Sequence, residues 1–260
     1  MSKREDAILV SVILPVYNGE AFLEKTASSV ISQTYQNIEL IIVDDHSTDR
    51  SLEISNRLKE LDKRISVFSN ETNLGVLETR IKASRLARGE WIAFIDADDL
   101  WESDKLEKQI SLQKTTGCDL VYTASAFIDA DGNNYDWIMH VSTEVSYRKL
   151  LKQNIISNSS VMLRKNDYLR FSPHEEREYD MHEDFACWLK MLKAGLVACG
   201  VDEPLISYRL SKKSVSSNKV KASKMNLNTY RHIGLNFFEI CFYQVCYAFN
   251  GIKKYLHFKR

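Results

Sequence analysis

The sequence predicts an α/β fold: a Rossmann-like, mostly parallel central sheet flanked by helices, followed by a C-terminal amphipathic helical tail. Two observations predict it. Between residues 10 and 100, short β-branched runs alternate with longer amphipathic ones, as repeated βαβ units require. The runs IELIIV and WIAFI lack polar alternation, the pattern of strands covered on both faces. At 260 residues the chain suits one large domain with an appendage.

In order, VSVILPV reads as a strand, GEAFLEKTASSVISQ as a helix, IELIIVDD as a strand and DRSLEISNRLKEL as a helix. ISVF, VLETRIKASRLA and WIAFID continue the alternation. Beyond residue 100 the pattern loosens into a helix near 103–114, a strand DLVYTA, a DADGN turn at 129–133, a helix near 144–152 and a strand SSVMLR. A polar loop, RFSPHEEREYDMHE, leads into the helix DFACWLKMLKAG, which Gly195 is placed to end, and a short strand LISYR follows. The stretch SKKSVSSNKVKASK reads as a linker.

Lysine plus arginine equals aspartate plus glutamate at 35 each, so no global field marks a nucleic-acid binder. Charge logic must be local. Cys118, Cys187, Cys199, Cys241 and Cys246 are scattered without C-x-x-C spacing, which suits small buried side chains in a reducing compartment. The opening MSKREDA lacks the apolar segment of a secretory signal, so the expected location is cytoplasmic. His174 and His182 do not have zinc-site spacing.

Open α/β sheets bind ligands beyond the C-terminal ends of their strands, where helix N-termini converge. The first strand ends in Pro15-Val16-Tyr17-Asn18-Gly19, the second in Asp44-Asp45-His46-Ser47-Thr48-Asp49 and the fourth in Asp96-Ala97-Asp98-Asp99. Carboxylates distant in sequence therefore meet at one rim. A lone Asp-x-Asp arises by chance in a chain of this length, and it is the position that gives this one weight. A hard divalent cation, Mg²⁺ or Mn²⁺, takes oxygen ligands, bridges carboxylates to substrate phosphates and would offset the crowding of acids. Helix capping is the competing reading, for Asp96 to Asp99 before WESDKLEKQ and for Asp44 and Asp45 beside Ser47, Thr48 and Asp49.

Taken together, VSVILPVYNGEAFLEKTASSVISQTYQNIELIIVDDHSTDRS, then NLG, then ARGEWIAFIDADDLW resembles the nucleotide-sugar domain of the family 2 glycosyltransferases, inverting enzymes of the GT-A fold, in their bacterial surface-polysaccharide form. The resemblance covers about residues 10–210, most specifically 11–101. It implies a catalytic domain over 1–210, with a donor half at about 10–101 and an acceptor half at 102–210, then a basic linker at 211–225 and the tail at 226–260. Pro15, Tyr17 and Asp44 would hold the nucleotide base, usually uracil, with Asp45 beside them. Asp96 and Ala97 would lie in the ribose or metal region, and Asp98 would ligate the Mn²⁺ or Mg²⁺ that bridges the diphosphate. Asn73, Gly75 and Arg80 match the N-x-G and following Arg that shape the donor pocket. For Arg80 a solvated helix charge competes with that role.

Sugar transfer also needs a base for the acceptor hydroxyl. His182-Glu183-Asp184, before the apolar helix, matches the family's E-D motif, which makes Asp184 the expected base and Glu183 its support or an acceptor contact. Helix-start acids favoured by the macrodipole are the alternative. One departure stands out: many relatives follow this region with Tyr-Arg-x-His, whereas Tyr208-Arg209-Leu210 here precedes Ser211. Lys212, Lys213 and Ser214 are candidates to meet the diphosphate in its place.

In the tail, Ile233, Phe237, Ile240, Cys241, Ala248, Phe249, Ile252 and Leu256 fall near helical spacing, interrupted by Asn236, Glu239 and Gln244. The run is too short to span a bilayer comfortably. Followed by Lys253, Lys254, Lys259 and Arg260, it fits a helix lying in an anionic membrane interface, with a lipid-linked glycan as acceptor. Packing on the domain or on a second copy in a homodimer is the competing reading. For the whole protein, the alternatives are a nucleotidyltransferase or sugar-nucleotide pyrophosphorylase, and a binding protein that has lost catalysis. The first would want a Gly- and Arg/Lys-rich loop after the first strand. No G-x-G-x-x-G follows a strand, which disfavours a dehydrogenase.

Overall fold

A computed structural model describes residues 8–173, 180–210 and 219–257. Strands β1 (Val10–Val16), β2 (Ile38–Asp44), β3 (Ile65–Ser69) and β4 (Trp91–Phe94) alternate with helices α1 (Leu23–Ile31), α2 (Ser51–Leu61) and α3 (Val76–Leu86). Then come β5 (Leu100–Trp101), α4 (Lys105–Thr116), β6 (Leu120–Ile128), β7 (Asn134–Met139), α5 (Tyr147–Lys152), a 3₁₀ turn (Asn158–Ser160) and β8 (Met162–Arg164). The chain continues through α6 (Lys165–Phe171), α7 (Glu183–Lys193), β9 (Ala198–Arg209), α8 (Lys219–His232) and α9 (Phe237–His257).

Among the described residues the strands form one sheet, ordered β3-β2-β1-β4-β8-β6-β9-β5, with β7 paired to β6. β1 to β4 are mutually parallel, and β8 enters antiparallel between β4 and β6. The chain order reverses between β1 and β4, so the first and fourth strand ends open a crevice on the same rim. Both sheet faces are covered: Ile13, Ile41, Val43, Ile92 and Phe94 point into one core, while Val12, Leu14, Leu40, Ile42 and Ala93 point into the other. This period-2 division is why these strands read as unbroken apolar runs.

Local signals end several elements. Gly117, at φ 70°, terminates α4, and Gly195, at φ 92°, follows α7 as expected. Ser146 Oγ accepts from Lys149 N at the start of α5.

Pro15 lies inside β1, as the run VSVILPV predicts, paired with Val43; β4 pairs with β1 only through Ile13, so on that side Pro15 has no ladder partner to disappoint. Three differences from the sequence reading have physical causes. The short strand at 205–209 is the end of a twelve-residue β9, whose first half Asp202 and Glu203 disguise as loop. The hairpin strand β7 was not anticipated: NYDWIM is short, and of its side chains only Met139 is buried, so its aromatic residues mark no core-facing stripe. Finally, α8 begins at Lys219, inside the stretch read as linker, because Met225, Tyr230 and Ile233 are buried against the domain while lysines coat the outside. Ser211, Lys212, Lys213, Ser214, His174, Lys259 and Arg260 lie outside the described residues.

Candidate active site

The loops after β1 and β2 are laced together at the rim. Asn18 N donates to Ser47 Oγ at 3.0 Å, Thr48 N to Asn18 Oδ1 at 2.8 Å, and Glu20 N to Asp49 Oδ2 at 3.0 Å. Asn18 and His46 both sit at positive φ, 51° and 62°. Tyr17 is left 54 % exposed on this edge. Asp44, at the end of β2, is 2 % exposed; its Oδ2 accepts from Ser47 N at 3.0 Å, and its buried Oδ1 has no hydrogen-bond partner. A buried acceptor without a donor is costly, and this oxygen retains the capacity to accept an N–H.

Asp45 is different. Its Oδ1 accepts from Leu74 N and Asn70 Nδ2, and its Oδ2 from Gly75 N, all at 2.8 Å. Both oxygens of the carboxylate that was expected beside the donor are thus engaged in shaping the 70–75 loop. Gly75, at φ 84°, takes a conformation that favours glycine and opens α3, while Asn73 is exposed on the loop.

The 96–99 stretch divides its carboxylates among three tasks. Asp99 is 1 % exposed, with Oδ2 accepting from Ser159 Oγ and Oδ1 from Arg209 N at 2.9 Å. Burial, then Asp96 and Asp98, push its carboxyl far above the usual range. It is a structural knot between the loop, the 3₁₀ turn and β9. Asp96 Oδ1 accepts from Arg80 Nη2 at 2.6 Å. Asp98 is pushed up to about 6, by burial first and by Asp96 second. Ala97 supplies backbone: its carbonyl accepts from Thr26 Oγ1 at 3.0 Å.

Arg80 is no solvated helix charge. Its side chain is 7 % exposed, and Nη1 donates to Glu183 Oε1 at 3.2 Å while Nη2 holds Asp96. Burial alone would lower its pKa, but Asp96 and Glu183 outweigh it and raise it. Glu183 opens α7; burial raises its carboxyl, Arg80 opposes the rise and Asp184 adds to it. Asp184 follows, its Oδ1 accepting from Phe185 N at 2.6 Å.

A cavity of about 740 Å³ brings Arg80, Asp96, Glu183 and Asp184 together, with Tyr135, Tyr208 and Asn158 on its walls. Pro15, Tyr17, Asp44, Asp45, Asn73, Gly75, Ala97 and Asp98 lie outside its lining. The predicted residues thus fall into two groups, a rim at the ends of β1 to β4 and a cavity lined by Arg80, Asp96, Glu183 and Asp184.

Sequence reasoning met Arg209 only as part of Tyr208-Arg209-Leu210, giving it no role, and did not reach Ser159. Arg209 donates from Nε to Asp98 O at 2.8 Å and from Nη1 to Asp129 O at 2.8 Å, and its guanidinium lies 4.3 Å from the Phe22 ring centroid. It fixes the backbone that presents Asp98. A lone arginine closing an apolar strand was the available signal.

Among the described residues no three His, Cys, Asp or Glu side chains are gathered to hold a metal ion. The donor set still fits Mg²⁺ or Mn²⁺, which is commonly held by one or two carboxylates and completes its shell with substrate phosphates and water. Asp98 would be the carboxylate to hold it, in surroundings whose acid crowding a cation would relieve.

The profile of the family described as Glycosyl transferase family 2 matches residues 11–177. The chain belongs to glycosyl transferase family 2. The putative teichuronic acid biosynthesis glycosyltransferase TuaG of Bacillus subtilis (strain 168) is 38 % identical over 249 residues, covering 95 % of this chain and 98 % of TuaG. WfaP of Escherichia coli, named a UDP-Glc:alpha-D-GlcNAc-diphosphoundecaprenol beta-1,3-glucosyltransferase, is 34 % identical over 250 residues, covering 95 % of both chains. Residues 1–349 of S. aureus TarS in complex with UDP-GlcNAc share the fold at a TM-score of 0.69 and 19 % identity, over 91 % of this chain and 70 % of that one. The mannosyltransferase PcManGT of Pyrobaculum calidifontis, in complex with GDP-Man and Mn²⁺, gives 0.68 and 17 %, over 91 % and 68 %. This glycosyltransferase therefore has the GT-A-like architecture expected of it, and family membership sets aside the nucleotidyltransferase reading.

Proposed function

We propose that this glycosyltransferase moves a sugar from a UDP-sugar to a hydroxyl of a lipid-linked glycan with inversion, in surface-polysaccharide assembly. The observation that carries the reading is the Arg80 bridge, which joins Asp96 at the donor rim to Glu183, the neighbour of Asp184, inside one cavity. Asp44 Oδ1, buried and unpartnered, accepts from a ring N–H of the base, and exposed Tyr17 packs beside it. The name of WfaP and the UDP-GlcNAc in TarS support a uridine donor, and the diphosphoundecaprenol in that name supports a lipid-linked acceptor.

Asp184 removes the proton from the acceptor hydroxyl. The acceptor oxygen then attacks the anomeric carbon from the side opposite the diphosphate, and the broken bond's electron pair leaves on the β-phosphate. The proton ends on Asp184, and no covalent enzyme intermediate forms. Glu183, held by Arg80, keeps the start of α7 in place. Asp98 would hold Mn²⁺ or Mg²⁺, which would supply charge neutralisation for the leaving diphosphate. The Mn²⁺ beside GDP-Man in PcManGT supports that assignment. The unpaired cysteines suit work in a reducing compartment, at the inner face of the cell membrane.

The test is a donor panel, with release of nucleoside diphosphate measured with and without polyprenyl-diphosphate-linked sugar and with and without EDTA. Metal-dependent UDP release that the acceptor accelerates is expected. Silence with every donor would favour a catalytically inactive sugar-nucleotide-binding protein.

A further inference from the structure

α9 has two faces of unlike character. Its inner face is fastened to the domain. Tyr247 packs on Phe185, with ring centroids 6.1 Å apart, and Tyr243 on Tyr230 at 6.3 Å. Gln244 binds Asn226 and Ser223 of α8, and Asn250 Nδ2 donates to Lys152 O at 3.2 Å. On the outer face, Phe238, Phe242, Val245 and Phe249 recur at the spacing of one helical stripe, and they are 82, 56, 71 and 60 % exposed. Four large apolar side chains lined up in water are not explained by the scatter normal on a soluble surface. The inner packing holds the helix so that they stay there.

Charge indicates what covers the stripe. Residues 211–260 carry ten of the 35 lysines and arginines but only one of the 35 acidic residues, Glu239. The balanced total conceals a strongly basic C-terminal segment attached to an acidic remainder. Among the described residues no helix is long and apolar enough to cross a membrane. An amphipathic helix with exposed aromatics and a basic surrounding sequence matches the interface of an anionic bilayer, where the apolar face sinks and lysines meet lipid phosphates.

We infer that the Phe238–Phe242–Val245–Phe249 face of α9 seats the enzyme on an anionic lipid surface beside the catalytic cavity. Tyr247, on the opposite face, lines that cavity and packs on Phe185, the residue after Asp184. A glycan on a membrane-embedded lipid would thus reach the base from the side on which the protein rests. The orientation relative to the acceptor rests on the proposed glycosyl transfer; the lipid contact itself does not.

The test is flotation of the full chain with phosphatidylcholine vesicles, with and without about one third phosphatidylglycerol. Donor turnover to water is followed in parallel. Binding to the anionic vesicles is expected, weakened by salt, and reduced at least about tenfold in a variant carrying F238S, F242S, V245S and F249S. The same variant should keep the wild-type circular dichroism spectrum and donor turnover. Equal binding by variant and wild type would overturn the proposal, as would no preference for anionic vesicles. A dimer in light scattering that the four substitutions dissolve, without vesicle binding, would assign the face to a second copy instead. Vesicle binding without turnover of any donor would remove the glycosyltransferase reading and leave the membrane seat standing; turnover without vesicle binding would do the reverse.

Discussion

Arg80 donates to the Glu183 carboxylate at 3.2 Å across 103 residues of sequence, and the same guanidinium holds Asp96 at 2.6 Å. One buried cation therefore fixes the distance between the donor rim and the helix that carries Asp184. Removing one partner of a buried ion pair costs about 3–5 kcal/mol, because the remaining charges stay unpaired. Arg80→Met should accordingly lower kcat/KM by about a hundredfold or more and lower Tm. Arg80→Lys keeps the charge but loses the planar fork, and should fall between that variant and wild type. Steady-state kinetics and thermal unfolding of both variants check this; an unchanged kcat in Arg80→Met would contradict it.

Asp184→Asn keeps the shape of the side chain and its acceptor to Phe185 N while removing the base. Loss of general-base assistance is worth about 10²–10⁴ in rate. Transfer to acceptor should fall by that factor while the UDP-sugar Kd, measured by calorimetry, stays within about twofold. Retained turnover would take Asp184 out of the base role. Glu183→Gln should act more mildly on the rate and more on Tm, since Arg80 loses a charged partner.

Asp98→Asn removes the carboxylate assigned to the cation. Donor affinity in Mn²⁺ should drop to the level wild type shows in EDTA, and EDTA should then have little further effect on the variant. Asp45→Asn should instead lower Tm and loosen donor binding regardless of metal, because its oxygens hold Asn70, Leu74 and Gly75. A shared phenotype would undo the distinction between the two carboxylates.

Arg209→Lys tests whether the backbone bearing Asp98 must be held. Lysine cannot reproduce the Nε bond to Asp98 O together with the Nη1 bond to Asp129 O. The apparent Mn²⁺ affinity should weaken about tenfold, in line with the loss of outer-shell support at other metal sites, with the fold retained. A Mn²⁺ titration of donor turnover measures it.

Periodicity made the donor half legible: both faces of β1, β2 and β4 are apolar, so each strand announced itself, and its C-terminal acids followed at a predictable rim. Side chains that must be buried as charges were harder to read. Arg80 looks like any arginine on an amphipathic helix, and only the tertiary approach of Asp96 and Glu183 makes it internal. Asp45 and Asp44 are adjacent in sequence and identical in type, yet one oxygen of Asp44 is unpartnered while both oxygens of Asp45 are bonded. That difference is set by where the 70–75 loop returns, which no local pattern encodes. α8 was masked by composition, since its lysines resemble a linker and three of its buried side chains, Asn226, Asn228 and Thr229 between Met225 and Tyr230, are polar.

At the opposite end of the sheet Glu39 offers a pH-dependent test of stability. It is buried at 3 % exposure and accepts from Ser11 Oγ at 2.6 Å, from Arg88 N at 2.7 Å and from Arg88 Nε at 2.7 Å. Burial pushes its carboxyl up, but these bonds outweigh burial and leave it below the usual value of 4.5. Because the folded pKa is the lower one, the carboxylate stabilises the fold above about pH 4.5, and that contribution is lost as pH falls through the folded value. The knot also holds Gly89, whose N donates to Ser11 Oγ at 2.9 Å and where any Cβ would lie 2.5 Å from Leu9 O. Glu39→Gln should cost about 1–3 kcal/mol at pH 7, the range for a buried group left imperfectly bonded. Its deficit relative to wild type should shrink below pH 4, where wild type also carries a neutral side chain. Urea melts across that range measure it, and a deficit constant with pH would mean that packing rather than charge holds this corner.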